Sequence, residues 1–408
     1  MSKVTKPVVL DETAKQVVAQ MQLQNEILTS LASGINYKPT SIKDVLNVVR
    51  AGQASKVFQV GDQIIVPWTD ITTGQKYDVP LDIVSFGTSA LQDGEELPSM
   101  TVQWHYATPF GVQFNQYQAF FYASEELAAG TYYIEIGTTW GNNCVSGKKY
   151  QFTLTKPVPA GGQLAGFRGA PDQAPSSWKV YSYNSKTAVD AIEIVAVTEG
   201  SSGTSLGVLR FGGDGKLNCL QRTAYGYNRW SQSAMRQWLN SDKGVGEWWT
   251  PQNDFDRCPD ELATKAGFLT GFDADFLEIL RPTKVVTALN TVTDSTSSNS
   301  VDPLETTYDK IYLPALEQMF IEPQLAGEGS TWDYWKRASN MTTKMKQYQT
   351  YPQIRTFAIE NHTSPQYVRL RSAYRGCSCS AWYVYSSGYV GDSYAIYANR
   401  CAPACDFC

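Results

Sequence analysis

The chain has almost no histidine and no concentrated charge of either sign. Its 34 lysines and arginines face 39 aspartates and glutamates in 408 residues, for a net charge of −5 with only 18% of residues charged. There is no basic run, so the electrostatic footprint of a nucleic-acid-binding protein is missing. There is also no apolar stretch of roughly 18 residues, so no helical membrane span is expected. The opening residues lack the apolar centre of a secretory leader, which sets an expectation of synthesis and folding in a cytoplasm. Two histidines, His105 and His362, leave little for imidazole-based nucleophilic or metal chemistry. His105 falls in an expected strand and His362 in the loop-like run ENHTSP. No pair of carboxylates carries glycosidase spacing. Asp273 and Asp275 stand at an expected helix start, where capping accounts for them. The GGDG run at 212–215 reads as a tight turn, because no Lys-Ser/Thr follows as a phosphate loop requires.

A narrower absence is more informative. Residues 374–399 contain no Lys, Glu, Gln or Met, yet hold six of the 24 tyrosines amid serine and glycine. Tyrosine offers a large amphipathic contact area at the cost of only two side-chain torsions, while serine and glycine adapt around it. The four missing types are ones that an Asn codon cannot become when only its adenines are replaced. The same replacement readily yields Tyr, Ser, Gly, Asp, Cys, Ile, Ala, Val and Arg, which crowd this stretch.

Eight cysteines are too few for a disulfide scaffold of this length. Cys144, Cys219 and Cys258 are scattered and read as small buried hydrophobes. The other five, Cys377, Cys379, Cys401, Cys405 and Cys408, cluster at the end. The C-x3-C-x2-C spacing of the last three is that of an iron–sulfur site, and with Cys377 and Cys379 a four-thiolate zinc site can be drawn. Free or buried thiols are favoured over disulfides, and disulfides over metal. No metal and no cofactor is expected.

Along the chain, Leu10, Ala14, Val17, Met21, Leu28 and Leu31 repeat at spacings of three and four, broken only by Gln24. About three heptads suit a short coiled coil or a helix packed on its own chain. From about residue 55 the period becomes two, and KVFQVGDQIIVPW, YDVPLDIVSF, MTVQWHYAT, GTYYIEIGTTW and KKYQFTLTKPV read as strands between turn residues. PVPAGG at 157–162 marks a boundary. Beyond it, DAIEIVAV, SLGVLRF, TKVVTAL and KIYL read as strands, and 231–240 and 273–280 as short helices, the first capped by Ser231. The Ser/Thr-rich run 290–302 reads as an exposed loop.

The frame RLRSAYRG…SAW…V…S.G.V…A…A.RCAPAC in 369–408 resembles the variable region of target proteins of diversity-generating retroelements, which install adenine-mutated copies of a template at the end of one gene. YGYNRWSQSAMRQWLNSD, GFLTGFDADFLEILRPTKVVTA and YDKIYLPALEQMF resemble the same proteins upstream. The patterns read as an α+β chain with an N-terminal helix (1–40) and a β-rich sandwich-like domain (41–162), and the resemblance implies a C-terminal C-type-lectin-like display domain (163–408). The calcium-binding loops of true C-type lectins are missing. Fixed scaffold positions are expected at Trp382, Val384, Gly388, Val390, Ala395, Ala398 and 400–405. Mutable, ligand-binding positions are expected at Cys377, Cys379, Ser380, Tyr383, Tyr385, Ser387, Tyr389, Gly391, Asp392, Ser393, Tyr394, Ile396, Tyr397 and Asn399, presented on an exposed face.

The function so implied is receptor binding or adhesion, on a phage tail or similar surface, with no enzymatic activity. The partner would be a host-cell surface receptor, protein or glycan, and the chain would form a homo-oligomer, with a trimer favoured. Nucleic acid and membrane insertion are not expected. The competing readings are a structural virion protein whose tyrosine-rich end packs on a neighbour, and a glycan-active enzyme using the β-rich domain.

Overall fold

A computed structural model describes residues 38–115, 228–250, 264–289, 304–339, 355–375 and 380–408 continuously, together with parts of 17–29, 118–222, 259–262 and 292–298. Residues 17, 18, 21, 22, 25, 28 and 29 are helical and exposed.

The first continuous stretch opens with helix α1 (Ile42–Arg50), started by a capping box: Ser41 accepts from the Asp44 amide while the Asp44 carboxylate accepts from the Ser41 amide. Val45, Leu46, Val48 and Val49 are its buried face. After α2 (Ala54–Val57) come β1 (Gln63–Asp70), β2 (Gln75–Ala90) and β3 (Glu96–Trp104), paired antiparallel in sequence order. Alternation is clean at the end of β1, where Val66 and Trp68 are buried and Ile65 is exposed. Indole and phenyl rings of Trp68, Trp104, Trp238 and Phe268 pack at centroid distances of 5.0–5.7 Å and tie this sheet to the chain beyond residue 230.

Residues 118–222 form two further sheets. One has the order β10 (Thr204–Leu209), β5 (Gly130–Ile136), β6 (Lys149–Leu154), β9 (Thr198–Glu199). The other runs β11 (Lys216–Leu217), β12 (Leu220–Arg222), β4 (Gln118–Ala123), β7 (Gln163–Arg168), β8 (Lys179–Tyr181). None of their described residues joins the main core, which is built from 45–114 and 230–407. The boundary expected at 157–162 falls inside this unit, where Val158 bridges to Leu127. Residues 159–162, the expected strand at 190–197, the turn at 212–215, and Cys144, Cys219 and Cys258 lie outside the described residues.

The chain then returns to the main core through α3 (Ala234–Leu239), α4 (Ala274–Ile279), the pair β13 (Thr283–Ala288) and β16 (Leu304–Asp309), a short ribbon β14 (Val292–Thr293) with β15 (Ser297–Ser298), and α5 (Asp333–Ser339). Asp273 caps α4 as expected, its carboxylate accepting from the Phe276 amide at 2.8 Å. The cap of α3 is Ser233, not Ser231: the Ser231 hydroxyl donates to Glu305 instead, at 2.7 Å. The ribbon falls within the run read as a loop. KIYL is not a strand, because the Lys310 and Ile311 amides are taken by the Asn240 side chain, leaving a single bridge from Tyr312 to Ala404.

Last come β17 (Val368–Ala373), β18 (Ser380–Val384), β19 (Val390–Tyr394), β20 (Arg400–Cys401) and β21 (Ala404–Phe407). The first four form a sheet in the order β19, β18, β17, β20. Strand β21 leaves it and pairs with β3, so one sheet holds residues 63–104 and 404–407.

The expected α+β chain with a C-terminal C-type-lectin-like domain is overturned. Among the described residues there are four sheets of four or five strands, mostly antiparallel, and five helices of four to nine residues beyond the N-terminal one. Helices that short each add only a few side chains to the core, as Met235, Trp238 and Leu239 of α3 do. The last strand also completes the first sheet, which a separate C-terminal display domain would not do.

Candidate ligand-binding cleft

Strands β18 and β19 are joined by a tight turn in which the Tyr385 amide donates to the Tyr389 carbonyl at 2.7 Å and the Gly388 amide to the Tyr385 carbonyl at 2.9 Å. Gly388 has φ +85°, a conformation costly for any residue with a Cβ. After β19 the chain turns again, the Tyr397 amide donating to the Tyr394 carbonyl. A cleft of about 560 Å³ is lined by Tyr367, Ser380, Tyr383, Asp392, Ser393, Tyr394, Tyr397 and Asn399.

Seven of those eight residues belong to the set expected to be mutable. Tyr385, Tyr389 and Gly391 of that set adjoin the cleft through ring packing: Tyr385 lies 4.4 Å from Tyr383 and 5.2 Å from Tyr389 between centroids. A Cβ on Gly391 would come within 2.8 Å of the Tyr385 ring, so the two positions compete for one space. Ser387 is exposed and Ile396 half-buried, and neither lines the cleft. Cys377 and Cys379 lie outside the described residues.

The expectation of a uniformly exposed face needs correcting. Tyr394 and Tyr397 are 40% and 51% exposed, but Tyr383 is only 7% exposed, and Ser380 and Asn399 are buried. Tyr383 sits under Tyr367 and Tyr385, with centroids at 5.8 and 4.4 Å, and is the cleft's floor. Burial, and then its hydrogen bond with Tyr385, push its phenol well above the usual range, so it stays protonated. Among the positions expected to be fixed, Trp382, Val384, Gly388, Val390 and Ala395 are buried, whereas Ala398 is exposed. Tyr367 stands outside the tyrosine-rich stretch, and only the pairing of β17 with β18 brings it in.

Beneath the cleft lies Arg369, fully buried. Its Nη1 donates to the carbonyls of Ala381 and Ser393, both at 2.9 Å, and its Nη2 to those of Tyr394 at 2.8 Å and Tyr397 at 3.5 Å. All four acceptors are main-chain atoms. Burial lowers its pKa to about 9, with Tyr383 and Asp392 pulling the other way, so it remains charged at neutral pH. Its Nε is buried without a hydrogen-bond partner among the described residues.

The rest of the frame is also held through the backbone. Asn228 Nδ2 donates to the carbonyls of Tyr374 and Ser380. Segment 107–115, just after β3, braces the turn from the other side. Gln113 Nε2 donates to the Ile396 carbonyl at 2.8 Å, the Phe114 and Asn115 amides to the Ala395 carbonyl, and the Val112 amide to the Asn399 carbonyl. Gly111 presses against the Ala398 carbonyl, where an added Cβ would sit 2.2 Å from the oxygen. The cleft wall is therefore fixed by contacts indifferent to most of its own side chains.

The terminal thiols do not face the cleft. Cys401, Cys405 and Cys408 are free and buried, and burial pushes their thiols up, Cys401 to about 12 and Cys408 to about 11. No group of three His, Cys, Asp or Glu side chains among the described residues is arranged to hold a metal. The two histidines sit elsewhere: His105 Nδ1 lies 2.8 Å from buried Asp82, which Arg355 also contacts, and His362 stacks on Tyr106 at 4.0 Å. His362, in the loop-like run, is thus packed on a ring despite its φ of +58°.

Residues 216–406 match the family model of a domain of unknown function, DUF6273. The match takes in the cleft, Arg369 and Asn228, and leaves out β1 to β3 and the bracing segment 107–115. No curated protein and no solved structure matches the chain.

Proposed function

We propose that the chain is a recognition protein whose tyrosine cleft binds a target on a host-cell surface, and that this cleft is diversified by a retroelement. The observation that carries the reading is convergence. Positions singled out by an adenine-mutation signature meet around one cleft, and the wall behind them is tied by main-chain hydrogen bonds that side-chain exchange leaves intact. Tyr394 and Tyr397, 5.7 Å apart and both exposed, offer the rigid amphipathic surface that recognition anchors require. Asp392, Ser393 and Asn399 add hydrogen-bonding groups beside them. The setting is a phage tail or similar surface assembly. Val17, Met21 and Leu28, exposed on the N-terminal helix, give a seam for a homotrimer, and three weak clefts acting together would gain avidity.

The test combines Tyr394→Ser and Tyr397→Ser. Adsorption of the purified protein to host cells should fall at least tenfold, about 1.4 kcal/mol or more. The melting temperature should stay within about 2 °C, as for surface changes. Unchanged adsorption would reject the cleft as the binding surface. Separately, the neighbouring DNA should carry a near-repeat of the last coding segment that differs at adenines, beside a reverse transcriptase gene. Its absence would reject diversification while leaving binding open.

A further inference from the structure

Away from the tyrosine cleft, and sharing no lining residue with it, a second groove of about 490 Å³ runs along the outer half of β2. That is within the range of small-molecule sites, roughly 300–1,000 Å³. The strand register builds its floor. Ser85 of β2 pairs with Thr101 of β3, Thr101 pairs with Asp406 of β21, and Gly87 pairs with Ser99. A polar row therefore crosses three strands on one sheet face. Ser99, Thr101 and Asp406 are 5%, 8% and 6% exposed, and polar side chains so placed need partners.

The partners fall into two groups. Asp406 is supplied from within: the hydroxyls of Thr101, Thr283 and Tyr312 donate to it at 2.7, 2.8 and 3.1 Å. By contrast, the hydroxyls of Ser85 and Ser99 and the Nε2 of Gln318 line the groove and make no hydrogen bond to a described residue.

Gly87 supplies an independent sign. It lies inside β2, its φ is not left-handed, and an added Cβ would meet nothing within 4 Å. Neither conformation nor packing calls for glycine there, and glycine weakens a strand interior. What remains is room for something that approaches the backbone.

We propose that this groove binds a neutral saccharide, whose hydroxyls meet Ser85, Ser99 and Gln318 across the gap left by Gly87. Hydroxyl and amide groups serve as both donors and acceptors, which suits a polyol. Trp332 contributes apolar surface for a sugar face, while Phe86, between Ser85 and Gly87, turns to the opposite face and packs on the core. Among the described residues that line the groove, Lys284 is the one cation against the carboxylates of Glu96 and Asp406, a poor setting for phosphate or sulfate. An apolar ligand would leave the buried donors unpaired.

The test is ligand-observed NMR and calorimetry with a panel of neutral tri- and tetrasaccharides of glucose, galactose, mannose and N-acetylglucosamine, on the full chain. At least one should bind. Gly87→Leu should weaken that binding at least tenfold while the melting temperature does not fall. Ser85→Ala combined with Ser99→Ala serves as the second variant if the leucine disturbs folding. The Tyr394→Ser, Tyr397→Ser protein should bind the saccharide as the parent does, which separates this groove from the cleft. The proposal is overturned if no member of the panel binds or if binding survives both groove variants.

Discussion

Arg369 shows how one residue can hold a recognition surface without dictating its chemistry. A guanidinium spreads its donors in a planar fork, and here four main-chain carbonyls converge on it. Lysine, a compact point charge, cannot reach all four. Arg369→Lys should therefore destabilise the fold by about 2–4 kcal/mol in urea unfolding, since each buried carbonyl left unpaired costs about 1–3 kcal/mol. Arg369→Leu should cost at least as much. A loss under 1 kcal/mol for either would mean that the clamp is not what holds the wall. Nothing in the sequence marks this residue: RLRSAYRG shows three arginines in one run, and only the fold separates Arg369 from Arg371, which is buried against Gln318 and the carbonyls of Leu313, Val286 and Glu328. Burial of Trp382, Val384 and Val390 is what the resemblance implies for scaffold positions. The burial of Tyr383 is not legible in the sequence, because it depends on Tyr367, just ahead of β17, lying over it.

Among the elements, the segment 107–115 has the clearest consequence. It belongs to no strand, yet its amides and the Gln113 side chain fix the turn that carries Tyr394 and Tyr397. Gly111→Ala would force a Cβ into the Ala398 carbonyl, backbone against backbone, so the turn must move. Target binding should fall several-fold although residue 111 lies outside the cleft, and amide exchange at 394–399 should quicken. Unchanged exchange would show that the turn stands without its brace. The strands of the first sheet could be read from period two, and the capping of α4 by Asp273 from a carboxylate at an expected helix start. The brace could not: its contacts span nearly 300 residues of chain, Gln113 reaching Ile396 across 283, and local pattern carries no trace of such a partner.

At the level of the whole molecule, the pairing of β21 with β3 is decisive. Phe407 is fully buried and packs on Phe276 with ring centroids 5.9 Å apart. Phe407→Ala should cost about 3–5 kcal/mol, read from chemical denaturation. Removal of residues 404–408 should abolish the cooperative transition altogether, taking β21 from the sheet and Asp406 from its three hydroxyls. A truncated chain that still melts sharply near the parent temperature would refute that role. The α+β expectation fails on content: the described residues form four mostly antiparallel sheets of four or five strands with five short helices beyond the N-terminal one.

That closure also sets a timetable. Thr101 and its partner Asp406 stand 305 residues apart. At synthesis rates of about 5–20 residues per second, the free edge of β3 waits roughly 15–60 s on the ribosome before its neighbour is made. An unpaired strand edge invites wrong partners for all of that time. Yield of this protein in a cell should thus depend on what shields the nascent edge, and slower translation should lower it.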